Sequence, residues 1–216
     1  MAVIMTPTTT AVPAMAMETS DRKIDGSRRL LVVAAAIAAI LAAWCGGAAS
    51  ADRQAPAFRW LHPRPAPSGW KVARLPSGAA TFAHPSTWRP IRTDPGTASV
   101  ALLGEGRSIR GYLNATPRQG AETLANWPSF RIEHLRDDDG SKDVRLIASA
   151  HGLRFRSGRG SCVIDSYRTT RTRYREIACL VAGARTSSVI VGAAPSRTWA
   201  QQAETIERAI SSLRTG

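Results

Sequence analysis

Cys162-Val163-Ile164-Asp165-Ser166-Tyr167-Arg168-Thr169-Thr170-Arg171-Thr172-Arg173-Tyr174-Arg175-Glu176-Ile177-Ala178-Cys179 folds back on itself as a hairpin around which the rest of the sheet can be laid out. Cys162 to Thr169 and Arg173 to Val181 are strand-like runs. A hairpin turn centred on Thr170-Arg171 sets Cys162 opposite Cys179, Ile164 opposite Ile177, Asp165 opposite Glu176 and Tyr167 opposite Tyr174. Side chains alternate across a strand, so the cysteines and isoleucines share one face, which is marked as core. Opposed cysteines are within reach of a cross-strand disulfide. Two reduced core thiols are the alternative. No histidine stands at ligand spacing from either cysteine, so no metal is expected there, and no cofactor motif occurs elsewhere.

The second face of that hairpin carries Asp165, Glu176, Tyr167 and Tyr174. Opposed carboxylates repel, and such a pair either shares a proton or binds a cation. The plainer reading is a solvated surface on which Arg168, Arg173 or Arg175 bridges them. The two tyrosines offer a binding face, and the two carboxylates offer the one acid-base pair that a hydrolase could use.

Outward from the hairpin, Val144 to Ala150, continuing through Leu153 to Arg156 past Gly152, and Ser187 to Ala193 read as further strands. Upstream, Trp70 to Leu75 and Ala79 to Ala83 flank the turn Pro76-Ser77-Gly78, and Ala98 to Gly104 and Ser108 to Thr116 flank Glu105-Gly106-Arg107. Gly120 to Leu135 is a helical stretch with Leu124, Trp127, Phe130 and His134 near one face, which Pro128 is expected to break or kink. The last element is a helix in which Trp199, Ala203, Ile206, Ile210 and Leu213 step along one side, with Ser196 as its N-cap. Strands, helix, strands, helix predicts an α+β fold, an antiparallel sheet packed against helices as an α/β/α sandwich.

The segment Phe82-Ala83-His84-Pro85-Ser86-Thr87-Trp88, after Leu75-Pro76-Ser77-Gly78, resembles the opening of PsbP-like domains. Together with the Trp127-bearing helix and the terminal helix from Trp199, the resemblance spreads over most of Gly69 to Leu213. It implies an antiparallel sheet between helices, entered through an apolar strand and a Pro-x-x-Trp corner. That family includes photosystem accessory subunits, a nuclear-transport accessory factor and bacterial exported proteins, so the resemblance implies binding or assembly more than catalysis. No residue matches a family active site.

The remaining chemistry-bearing residues are dispersed. His62, His84, His134 and His151 belong to no ligand or triad pattern, and His84 reads as a corner residue bonding backbone before Pro85. Ser161 beside Gly160 lacks the spacing of a nucleophile elbow, and Asp137 to Asp143 lacks that of a calcium loop.

The address lies at the other end of the chain. Leu30 to Ala51 is an uncharged run after Arg28-Arg29, close to the 20 or so residues that a membrane helix needs, and it ends in Ala49-Ser50-Ala51. It predicts a transmembrane helix through residues 30–49 with the C-terminal domain extracytoplasmic, or a signal peptide cleaved after Ala51. Cys45 before Gly46-Gly47 invites a lipid-anchor reading, which the bulky Trp44 disfavours. Residues 1–29 read as a disordered cytoplasmic tail, 52–68 as a Pro-rich linker, and 69–216 as the folded domain.

Arg and Lys number 29 against 16 Asp and Glu, and only Lys23, Lys71 and Lys142 are lysines. The excess suits an envelope protein, an anionic lipid or a cell-wall polymer as partner; nucleic acid is not expected. In sequence the arginines are scattered, which fits a solubilising coat equally well.

Overall fold

Continuous buried runs mark the central strands, as in a sheet covered on both faces, and the breaks between strands fall at turn residues. The computed structural model describes residues 55–137 and 140–216. The expected tail, the apolar run and Cys45, all within residues 1–51, lie outside them. Among the described residues no helix is long and apolar enough to cross a membrane.

The strands are β1 (Lys71–Arg74), β2 (Ala80–His84), β3 (Arg89–Pro90), β4 (Ala98–Leu103) and β5 (Ile109–Pro117). Helix α1 (Trp127–Asp137) follows, then β6 (Lys142–Phe155), β7 (Gly158–Arg168), β8 (Arg173–Ala182) and β9 (Ser187–Pro195), and finally α2 (Trp199–Ser211) and β10 (Arg214–Thr215). Seven strands form one antiparallel sheet in the order β3-β4-β5-β9-β8-β7-β6. A second sheet, β1-β2-β10, packs into the same core.

β7 and β8 pair in the expected register, with Cys162 opposite Cys179, Ile164 opposite Ile177, Asp165 opposite Glu176 and Tyr167 opposite Tyr174. The cysteines form a disulfide across a Cα–Cα distance of 4.1 Å. Their face is the main core. Ile164, Ile177, Val181, Ile190 and Leu113 pack there against Ile206, Ile210 and Leu213 from α2 and its end, and against Phe82 and Leu75 from the small sheet. α2 approaches so closely that a Cβ at Gly192 would overlap the Ile206 side chain; glycine permits that approach.

The opposite face carries the smaller cluster of Val163, Ala178, Leu180, Val189 and Val191, covered by Trp127 with Leu124 and Phe130. Helices thus lie on both faces of the sheet, the α/β/α sandwich that the order of elements predicts. The corner before β3 also follows expectation. Trp88 is buried, its N–H donates to the Pro85 carbonyl, and a Cβ at Gly111 would collide with its ring.

Three local expectations are corrected. Pro128 breaks nothing, because it is the second residue of α1, where its missing N–H has no partner to lose; the helix starts at Trp127 instead of Gly120. Ser196 does not cap α2: it lies in a short 3-10 turn, Ser196–Thr198, and no side chain caps the helix start. The stretch from Ala55 to Ser68 is not a free spacer. Prolines set its path, but Phe58 and Leu61 are 0% and 2% exposed within the main core, so the described part of this stretch belongs to the folded domain.

Candidate functional site

On the α1 face, strand pairing places Tyr112 (β5), Ala193 (β9), Glu176 (β8) and Asp165 (β7) in one row across the sheet, and Asn114, Val191, Ala178 and Val163 in the next. α1 covers the β6–β7 side of this face and leaves β8, β9 and β5 beside it as the floor of a cleft. The cleft has a volume of about 610 Å³ and is lined by Tyr112, Asn114, Glu176 and Tyr167 from strands, and by Trp127, Phe130, Arg131 and His134 from α1.

Glu176 is 1% exposed, and the Arg131 guanidinium donates to its Oε1 from Nε at 2.9 Å and Nη2 at 2.7 Å. The pair joins a side chain of α1 to one of β8 in a place far removed from water. Asp165, 0% exposed, has none: neither carboxyl oxygen meets a hydrogen-bond donor among the described residues. Burial, then the Glu176 charge, push its pKa up to about 9, against the pull of Arg131, so it is the neutral member of the pair at physiological pH. Burial and the Glu176 charge raise the Tyr167 hydroxyl as well, and burial raises that of Tyr112.

The walls are aromatic. Phe130 stacks between Trp127 and His134, with ring centroids 6.2 Å from each. Trp127 is anchored by its indole N–H, which donates to the Ala178 carbonyl at 3.0 Å. Tyr167 stacks on Tyr174 at 5.7 Å, and of the two only Tyr167 lines the cleft. At the rim, the Glu122 carboxylate accepts from the backbone N–H groups of Gln119 and Gly120, and Asn114 Oδ1 accepts from Ser99.

The solvated surface expected for Asp165 and Glu176 is therefore corrected to a buried pair, because α1 lies over it and supplies the arginine from a distant part of the chain. Arg168 and Arg173 do bridge a carboxylate, but it is Asp143, at 2.9 and 3.2 Å, which Arg168 above all holds below the usual carboxylate range. Arg175 instead lies 5.3 Å over the Trp199 ring. Sequence reasoning missed Arg131, Tyr112 and Asn114. The alternation Tyr112-x-Asn114 on a strand was a signal for the last two, whereas Arg131 becomes visible only when α1 is docked.

The other chemistry-bearing residues do not converge here. His84 is 4% exposed, its Nδ1 is 2.9 Å from the Pro85 carbonyl, and burial lowers its pKa, as suits a corner brace. Ser161 Oγ lies 3.0 Å from His151 Nδ1, which also contacts the Leu124 carbonyl at 2.8 Å, so that histidine ties the loop before α1 to β7. Among the described residues no group of three His, Cys, Asp or Glu is placed to hold a metal. With an ion pair, amide and phenol groups and stacked rings, the cleft is equipped to bind.

No family model matches the sequence, and no curated protein matches it. Solved structures do. The cyanobacterial PsbP of Synechocystis superposes with a TM-score of 0.53 at 10% identity, over 69% of this chain and 94% of that one. A protein of unknown function from Pseudomonas aeruginosa gives 0.44 at 10% identity, over 66% and 94% of the two chains. LpqN of Mycobacterium tuberculosis, involved in cell envelope biogenesis, gives 0.38 at 12% identity, over 70% and 82%. The superposition on PsbP, together with the Pro-x-x-Trp corner and the helices on both sheet faces, gives this chain a PsbP-like fold.

Proposed function

We propose that this chain is an extracytoplasmic binding or accessory domain, tethered to the membrane through residues 30–49, whose cleft beside α1 receives a small amphipathic ligand or a partner's side chain. The cleft carries the reading. Its aromatic walls present apolar area, and Asn114 and the Arg131 guanidinium, held in place by Glu176, give a bound group fixed polar contacts. The disulfide supports an oxidising compartment, which agrees with the export character of the run at Leu30 to Ala51.

A hydrolase reading has one observation in its favour, the division of Asp165 and Glu176 into a neutral and an ion-paired carboxyl, the separation that acid-base catalysis needs. Accessibility weighs against it, since Asp165 is fully covered and Arg131 occupies Glu176. Native mass spectrometry of the full chain, purified from its own envelope in mild detergent, tests the binding reading. A bound mass is expected on the unaltered chain and its loss on Tyr112→Ala with Phe130→Ala. If the folded variant keeps the same mass, or the unaltered chain carries none, the cleft is not the binding site.

A further inference from the structure

The tertiary structure gathers arginines that the sequence scatters. In the small sheet, Arg74 of β1 and Arg214 of β10 both pair with Thr81 of β2, one from either side, so the two point to the same outer face with Thr81 between them. Val72, two residues before Arg74, shares that face and is 65% exposed. Arg156, from the β6–β7 turn, reaches the same place because the neighbouring Ser157 hydroxyl accepts from the Thr215 N–H at 2.8 Å. Arg64 comes from the proline-dense entry segment. These four arginines line a groove of about 290 Å³ that no carboxylate lines. Among the described residues none of the four side chains is hydrogen-bonded or ion-paired. Like charges opposed across a sheet repel, and an anion seated among them removes the repulsion.

We propose that this groove is a docking site for the phosphates of anionic phospholipids, and that it holds the domain against the bilayer carrying its tether. This rests on the tethering in the proposed function. Arginine is suited to the ligand, because its planar fork binds phosphate oxygens in pairs, and Val72 adds an apolar contact beside the headgroups. The entry of the chain favours a bilayer over a soluble anion. Ala55 lines a neighbouring groove together with Arg154 and Arg156, and Arg156 is shared with the four-arginine groove. Only residues 50–54 lie between Ala49, where the proposed tether ends, and Ala55, a reach of about 20 Å at full extension. So short a connection supports a bilayer, and not a soluble anion, as the source of the phosphates.

The test uses the full chain with Cys45→Ala and a donor dye on Ser68→Cys, an exposed position outside the groove, reconstituted in vesicles containing a headgroup-labelled acceptor lipid. Transfer is expected to rise at least twofold when a third of the phosphatidylcholine is replaced by phosphatidylglycerol at low salt, and the rise is lost in molar salt. It should vanish in Arg74→Gln with Arg214→Gln and persist in Arg110→Gln with Arg197→Gln, a pair of exposed arginines elsewhere that removes the same charge. No rise, or an equal rise in both double variants, overturns the site. Suppression by millimolar inorganic phosphate would make it a free-phosphate site, and tighter binding of soluble polyphosphate than of the vesicles would make it a polymer site; either overturns the lipid assignment. A chain that floats with neither vesicle refutes the tether itself, whereas one that floats without responding to phosphatidylglycerol refutes the docking site alone.

Discussion

Asp165 keeps its proton because the fold gives its charge nowhere to go. Its oxygens are covered and unpartnered, and the facing carboxylate already takes the nearby guanidinium. In the unfolded chain it ionises near its ordinary 3.8, and in the folded protein only near 9. Between those values the native state holds the extra proton, so this residue's contribution to stability is complete below about pH 4 and is lost as pH rises towards 9. Asp165→Asn cannot ionise. Its unfolding free energy relative to that of the unaltered protein should therefore climb across this window, with a slope of up to about 1.4 kcal/mol per pH unit, and level off on the acid side. Thermal unfolding of both proteins over that range checks it, and parallel curves would show that Asp165 is ionised in the fold. The facing of Asp165 and Glu176 was legible in the sequence, since pairing in a hairpin depends on local spacing alone. Their burial was not, because it requires α1.

At the scale of elements, the β7–β8 hairpin is the most locally determined part of the molecule. Strand-forming residues flank a polar turn, and both cysteines fall on one face. The disulfide closes a loop between residues 17 apart, which by the chain-entropy model contributes about 3 kcal/mol. The double replacement Cys162→Ala and Cys179→Ala should lower the denaturation free energy by that order, measured by chemical unfolding against the oxidised protein. An unchanged midpoint would mean that the core alone holds the hairpin. The helices were less legible. α2 announced itself through a one-sided apolar stripe, whereas α1 buries Trp127, Ile132 and Leu135 and lines the cleft with Trp127, Phe130, Arg131 and His134. A helix that divides its residues between packing and a site has no simple stripe to read. β3 and β10, two residues each, exist only because longer neighbours pair with them.

For the whole molecule, the tether is expected to keep the chain with the membrane fraction, its N-terminal residues cytoplasmic and the disulfide-bonded domain outside. N-terminal sequencing of protein from that fraction checks this, and a chain beginning at Asp52 would show release after Ala51 instead. Local spacing in the chain was enough for the strand register around Thr170-Arg171, the pairing of Cys162 with Cys179, the core face of α2 and the layered class of fold. Each depends on a period of two or about four residues, and such periods survive in a one-dimensional record. It took the packed fold to cover the Asp165–Glu176 face, to pair Arg131 with Glu176, to bring Phe58 and Leu61 into the core, and to gather Arg64, Arg74, Arg156 and Arg214. These are contacts between segments far apart in the chain. Their free energy comes from burial and charge pairing in three dimensions, for which a linear sequence carries no spacing signal.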